Sequence, residues 1–288
     1  MVGLIFAHNQ PSLRLFEQLG FDRWGLLPRI ARLDETERDL VVMGWHCAGR
    51  TASRPGLDSH SAAPVANDRQ LSNCFELMHT LVQCRQEPVQ EQLGKIRKLS
   101  MLHLDVLFLI YHFAKTCSGH ILEVGAFLGG GTIAAALGVR ESATRKALIA
   151  IEPGGSLKHP QLGTRDIYRD LQRNLRKHRV SDVVTLIKGR SFDPPTISSV
   201  RQVLGPDEIG LLIIDADGGV KRDIRCYAEK LAESCPVLID DYYGPAAKAA
   251  PTRKDVDELV EAGCLEPLGF YGWGTWVGRW RGKGKAGV

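Results

Sequence analysis

Residues 120–132 read His-Ile-Leu-Glu-Val-Gly-Ala-Phe-Leu-Gly-Gly-Gly-Thr, an apolar run that passes directly into glycines and then into a helix-forming stretch. Few folds accommodate such a stretch. It fits a buried strand, a tight turn and a helix N-terminus, which collects free backbone N–H groups at the carboxyl edge of a sheet and suits an anionic group. The glycines fall as Gly125-x-x-x-Gly129-x-Gly131, which is neither the G-x-G-x-x-G dinucleotide fingerprint nor a P-loop with its Lys-Ser/Thr. Glu152 ends the next apolar run, ALIAIE, 21 residues after Gly131. An acid about 20 residues beyond the loop is placed to accept the hydroxyls of a ribose, so loop and acid together imply a nucleoside-containing cofactor.

The same grammar repeats along the chain. Short apolar runs at 120–124, 147–151, 183–187, 211–214 and 237–239 alternate with helical stretches at 131–137, 165–176, 197–203 and 220–232. Almost purely apolar runs of three to five residues suit strands covered on both faces of a parallel sheet. The expected fold is therefore a doubly wound, mostly parallel, Rossmann-like α/β sheet. Residues 264–280, with strand-like alternation around a Gly-containing turn at 271–274, are expected to close it as an antiparallel hairpin. Residues 71–115 read as helical with a break near Pro88. His103 and His112 within them suit packing or surface roles better than catalysis.

Composition removes other classes. The chain has 288 residues, 44% hydrophobic and 24% charged, which is ordinary globular composition. Its most apolar run, 101–113, is interrupted by His103, Asp105 and His112 and falls short of the roughly 20 residues that span a bilayer, so no membrane association is expected. The apolar start at 2–7 lacks the basic flank of a signal peptide. A net charge of +4 is too small to indicate a nucleic-acid partner. Seven scattered cysteines without a C-x-x-C pair suit reduced thiols in the cytoplasm.

The segments LEVGAFLGGGT and IAIE resemble the first two motifs of class I S-adenosylmethionine-dependent methyltransferases, most closely the small-molecule O-methyltransferases of the catechol and caffeoyl-CoA type. VTLIKGRS, LLIIDAD and VLIDDYYG resemble the three strand motifs that follow, the last especially like the macrocin O-methyltransferase group, which acts on sugars of natural products. The resemblance covers residues 75–280. It implies S-adenosylmethionine as cofactor, held by Glu123, Gly125, Ala126, Gly129, Gly131, Thr132, Glu152, Ser191 and Asp215, with Ser191 at the adenine. A small hydroxylated acceptor is implied too, and a homo-oligomer is left open.

Asp215 and Asp217 end one apolar run while Asp240 and Asp241 end the next. Adjacent strands would bring these tips together, and converging carboxylates call for a cation, for which Mg²⁺ is the hard-oxygen choice. The resemblance implies a metal held by Asp215, Asp240 and Asp241, and it gives Asp217 the part of general base. The competing expectations are a carboxylate set without metal, a degenerate fold that binds without turnover, and a nicotinamide-dependent oxidoreductase, which the glycine spacing disfavours. Two departures stand out: the stretch after Asp217 is several residues short, with Gly218 replacing a lysine of the catechol group, and Gly131 stands where a hydroxyl residue is common.

Residues 9–21 follow N-x-x-S-x-x-L-x-E-x-x-G-F, an N-capped amphipathic helix with Leu13, Phe16 and Leu19 on one side and a C-capping Gly20. Together with FDRWGLLPRIARLDETERDLVVMGW this resembles the C-terminal part of GNAT-type, phosphinothricin acetyltransferase-like N-acetyltransferases. Their coenzyme A loop lies upstream of this segment. The expected organisation is a truncated, small α+β acetyltransferase-like fragment over 1–47, left by gene fusion or an internal start, then a linker over 48–70 and a methyltransferase domain over 71–288.

Overall fold

A computed structural model describes residues 2–18, 20–33, 36–44, 68–244 and 246–282. The chain divides into two units, Met1–Val65 and Ala66–Val288. In the first, β1 (Val2–Phe6), α1 (Gln10–Gln18), β2 (Asp22–Leu33) and β3 (Thr36–Gly44) form a three-stranded antiparallel sheet with β3 in the centre. The capping signals operate as their chemistry requires. Asn9 Oδ1 accepts the Ser12 N–H, and Gly20 at φ 87° lets Phe21 N–H reach the Phe16 carbonyl. Leu13 is fully buried against Ile5, Phe21, Val41 and Met43, with Phe16 beside them. Leu19 and residues 45–67, most of the expected linker, lie outside the described residues, and Asp68–Gln70 already belong to the next helix.

The second unit begins with α2 (Asp68–Cys84), α3 (Val89–Ile96) and α4 (Leu104–Thr116), broken at Pro88 as the sequence indicates. Then follow β4 (His120–Val124), α5 (Gly130–Arg140), β5 (Leu148–Glu152), α6 (Ile167–Lys177), β6 (Val184–Lys188), α7 (Pro194–Leu204), β7 (Ile209–Ile214), α8 (Val220–Tyr227), β8 (Pro236–Ile239), α9 (Ala249–Glu261), β9 (Leu265–Tyr271) and β10 (Thr275–Trp280). The strands form one seven-stranded sheet in the order β6-β5-β4-β7-β8-β10-β9, parallel from β6 to β8, with β10 antiparallel to both neighbours. This is the doubly wound sheet with a closing antiparallel hairpin.

Alternation along each strand builds two cores. Ile121, Leu148, Ala150, Leu211, Ile213 and Leu238 face one side, where α4 and α5 supply Phe108, Ile110, Ile133 and Ala134. Leu122, Val124, Ile149, Ile151, Leu212, Ile214, Val237 and Ile239 face the other, against Val200, Ile224 and Val256. Successive strand residues point to opposite faces, so a strand covered on both sides must be apolar throughout. β6 departs from this: as the edge strand it is only half-buried.

Two helical expectations change. The stretch 220–232 is helical only to Tyr227, followed by a 3-10 turn, and α9 is an element the apolar spacing did not indicate. Chain order reverses about β4: β5 and β6 lie to one side, β7 and β8 to the other. A crevice at the carboxyl ends of the strands beside such a reversal is where open α/β sheets bind ligands. No described helix is long and apolar enough to cross a membrane.

Candidate active site

The turn after β4 lies on this edge. Gly125 (φ 89°) and Gly129 (φ 92°) take left-handed backbone that favours glycine, and so does Phe127 at φ 49°. Gly129 is the N-cap of α5 and brings no side chain to the first helical N–H groups, which are left for a ligand. A Cβ on Gly131 would stand 2.4 Å from Glu123 Oε1, so glycine there lets the Glu123 carboxyl lie against the helix.

Glu152 at the tip of β5 is locked by the turn it faces. Its Oε2 accepts the Phe127 N–H at 2.7 Å and its Oε1 accepts the Gly154 N–H at 2.8 Å. Burial raises its pKa, opposed by those two N–H groups. Each oxygen keeps a lone pair for another donor. Glu123, also buried, accepts the Thr132 hydroxyl at 2.5 Å. Burial, with Asp215 and Glu152 adding like charge, pushes its carboxyl up to about 8 from an ordinary 4.5.

That shift carries a pH prediction. Between these two values the folded chain holds the Glu123 proton more tightly than the unfolded chain, so stability falls as pH rises, by about 1.4 kcal/mol per pH unit from this group. Urea midpoints from pH 5 to 8 should therefore fall more steeply for the wild type than for Glu123→Gln. Parallel slopes would show that Glu123 is not held neutral.

The backbone N–H of Asp215 reaches Val124 O and that of Asp240 reaches Ile214 O, so the carboxylates continue the ladders of adjacent strands. One oxygen from each of Asp215, Asp240 and Asp241 lies within 4.8 Å of the others. Asp241 sits at φ 57°, a left-handed conformation that costs a non-glycine residue on the order of 1–3 kcal/mol. Asp240 Oδ1 accepts the Thr275 hydroxyl at 2.5 Å. Burial, then the neighbouring Asp215 charge, pushes Asp240 up to about 6.

Hard carboxylate oxygens suit a divalent ion, but a cation already meets two of them. Lys248 Nζ lies 2.9 Å from Asp215 Oδ1 and 2.5 Å from Asp241 Oδ2. Burial works against this ammonium, but the two facing carboxylates more than offset it and hold Lys248 protonated. A divalent ion sharing those oxygens would sit roughly 3 Å from the ammonium, a repulsion on the order of 10 kcal/mol at an effective dielectric constant of about 20. With Lys248 in place, two of the three carboxylates are already paired with a cation.

Asp217 and Ser191 stand apart from the cluster. Arg222 grips both Asp217 oxygens, at 2.7 and 3.1 Å, and through that contact lowers its pKa; the side chain is 60% exposed. Ser191 is buried and donates its hydroxyl to Asp223 Oδ1 at 2.7 Å, while Tyr227 donates to the Ser191 carbonyl. Arg222 also bonds Asp223 Oδ1 and stacks over Phe192, 3.8 Å from the ring centroid. Lys248, Thr275 and Arg222 are the residues that sequence reasoning passed over. None has a local signal: Lys248 precedes an unanticipated helix, and Thr275 reaches Asp240 only because β10 pairs with β8 in a register that sets Trp276 opposite Ile239.

Comparison with known proteins agrees with this geometry. Forty-four residues of the chain are 50% identical to the Bacillus subtilis (strain 168) protein YwnH, named for a phosphinothricin acetyltransferase; the match is 15% of this chain and 27% of that protein. The chain thus spans about a quarter of the curated relative it matches. The acetyltransferase-like N-terminal fragment agrees with this match. Among solved structures, the O-methyltransferase TomG from Streptomyces achromogenes, involved in tomaymycin synthesis and crystallised with SAM, aligns with a TM-score of 0.50 at 15% identity, over 68% of this chain and 91% of its own. The O-methyltransferase NovP aligns with a TM-score of 0.51 at 15% identity, over 74% and 99%. At that identity the likeness is one of fold. A family model described as a methyltransferase domain matches residues 122–242, the span from β4 to the residue after Asp241. The glycine turn, Glu152 and the paired aspartates all lie within the span that this methyltransferase-domain model matches.

Proposed function

We propose that this domain transfers a methyl group from S-adenosylmethionine to a hydroxyl oxygen of a small molecule. The observation that carries the reading is Glu152: its carboxylate is fixed by Phe127 and Gly154 N–H beside the glycine turn and uncapped start of α5, a pairing that suits a ribose and a charged tail. The cofactor, when bound, supplies an electrophilic methyl on a sulfonium; as the acceptor oxygen bonds to that carbon, the carbon–sulfur pair stays on sulfur.

The chain's own residues divide the remaining work. Asp215 and the neutral Glu123 line the turn with carboxyl oxygens that can accept hydrogen bonds from the cofactor's ammonium, with Gly125, Ala126, Gly129, Gly131 and Thr132 shaping the backbone around it. Ser191, through its backbone and with Asp223 behind it, borders the adenine side. The acceptor must shed a proton, and a carboxylate at the edge must take it. Asp217 is ionised, as a base must be, but both of its oxygens are engaged by Arg222. Asp240 lies within the cluster and has one oxygen unused by Thr275, so we assign the proton to Asp240 and a role at the substrate rim to Asp217.

Titration calorimetry with S-adenosylhomocysteine tests this: binding in the micromolar range is expected, and no heat at millimolar ligand would sink the reading. In a screen of phenols and sugars, Asp217→Asn should keep at least a tenth of wild-type turnover, while Asp240→Asn should lose more than a hundredfold with cofactor affinity retained. The reverse ranking would return the base to Asp217.

A further inference from the structure

The domain places a lysine where the carboxylate chemistry alone would call for a metal. Lys248 is the residue just before α9, and three contacts hold that helix along its length. The Lys221 N–H bonds Asp255 at 2.9 Å, the Lys221 ammonium bonds Glu258 at 2.6 Å, and Arg253 reaches the Tyr242 carbonyl. Tyr242 in turn donates to Asp257 at 2.6 Å. The short turn between β7 and α8 closes the arrangement. Gly218 is at φ 94°, and a Cβ there would stand 2.9 Å from the Lys248 carbonyl and 3.0 Å from Pro251. A longer or bulkier turn would push α9, and Lys248 with it, off the sheet edge. The placement of Lys248 is therefore built from both sides.

We infer that the Lys248 ammonium stands in for a divalent cation, bridging Asp215 and Asp241 so that the methyltransferase site is a metal-free carboxylate–ammonium centre. The inference rests on the methyl-transfer reading only for what the centre does; the bridge itself is geometry. A lysine ammonium has three N–H donors and two are spent on Asp215 and Asp241. Among the described residues no acceptor is recorded for the third, and an acceptor oxygen gaining negative charge is the group it fits. A divalent ion could offer two open positions and favour adjacent oxygens on a substrate, whereas one N–H holds a single hydroxyl.

The test uses the full chain, treated with chelator and then dialysed, with Mn²⁺ as the probe. Wild-type protein should bind Mn²⁺ at least tenfold more weakly than Lys248→Met, in which three clustered carboxylates lose their ammonium. Thermal melts should agree, with added Mn²⁺ raising the melting temperature of Lys248→Met and leaving wild type unmoved. Lys248→Arg keeps the charge and should bind Mn²⁺ no better than wild type. Submillimolar Mn²⁺ binding by the wild-type protein overturns the inference, and that arm does not depend on any variant folding. Equal Mn²⁺ affinity in wild type and a Lys248→Met protein that still binds S-adenosylhomocysteine overturns it as well. Wild-type protein that fails to bind S-adenosylhomocysteine refutes the methyl-transfer reading instead, and leaves the Mn²⁺ comparison to judge the bridge on its own.

Discussion

Gly125→Ala is expected to destabilise the protein by about 2–5 kcal/mol and to abolish binding of S-adenosylhomocysteine. The added Cβ would stand 2.0 Å from the carbonyl oxygen of Asp215, a backbone atom that cannot rotate away. Overpacking of this kind costs roughly 1–3 kcal/mol, and a left-handed φ of 89° costs an L-residue about 1–2 more. Domains are stable by only about 5–15 kcal/mol, so the loss is a large fraction of the total. The clash also pries β4 from β7 at their tips, which separates Glu123 from Asp215 just where the cofactor is to bind. Urea unfolding with calorimetry on the same sample measures both effects. A variant with wild-type midpoint and affinity would mean that the turn does not approach β7 as closely as it does here.

Glu152→Ala should cost about a hundredfold in affinity for S-adenosylhomocysteine, or ~2.7 kcal/mol. Hydrogen bonds to charged groups contribute about 1.5–3 kcal/mol each, and this carboxylate organises the Phe127 and Gly154 N–H groups in addition to whatever it offers a ribose. Glu152→Gln separates the two parts. Its carbonyl can keep one of the N–H bonds, but its amide turns a donor toward the other, so an intermediate loss is expected. If Glu152→Ala binds within threefold of wild type, Glu152 is a structural staple of the turn and the cofactor lies elsewhere. A protein that binds NADH and ignores S-adenosylhomocysteine would move the reading to hydride transfer.

Much of this site is legible in the sequence. Glu152, Asp215 and Asp240 end apolar runs and Glu123 lies one residue short of the end of its own, and a strand buried on both faces has no other way to read. The glycine turn was legible because Gly125 and Gly129 need a conformation that side chains avoid. Partnering was not. Asp217 ends the same run as Asp215, and nothing local says that one turn later Arg222 folds back on it while Asp215 meets Lys248. Ser191 could be placed at its strand end, yet its hydroxyl is committed to Asp223, 32 residues away.

The sequence by itself determined the alternation of strands and helices up to β8, the turn at Gly125 and the edge on which the acids gather, because periodicity and glycine conformation act over a few residues. Only the tertiary structure decided which cation meets those acids. Charge pairing depends on distances of a few ångströms between elements far apart in the chain, and those distances are set by how α9 docks beside the short turn at Gly218. Of three carboxylates that read as a metal site in one dimension, two are, in three, bridged by a lysine.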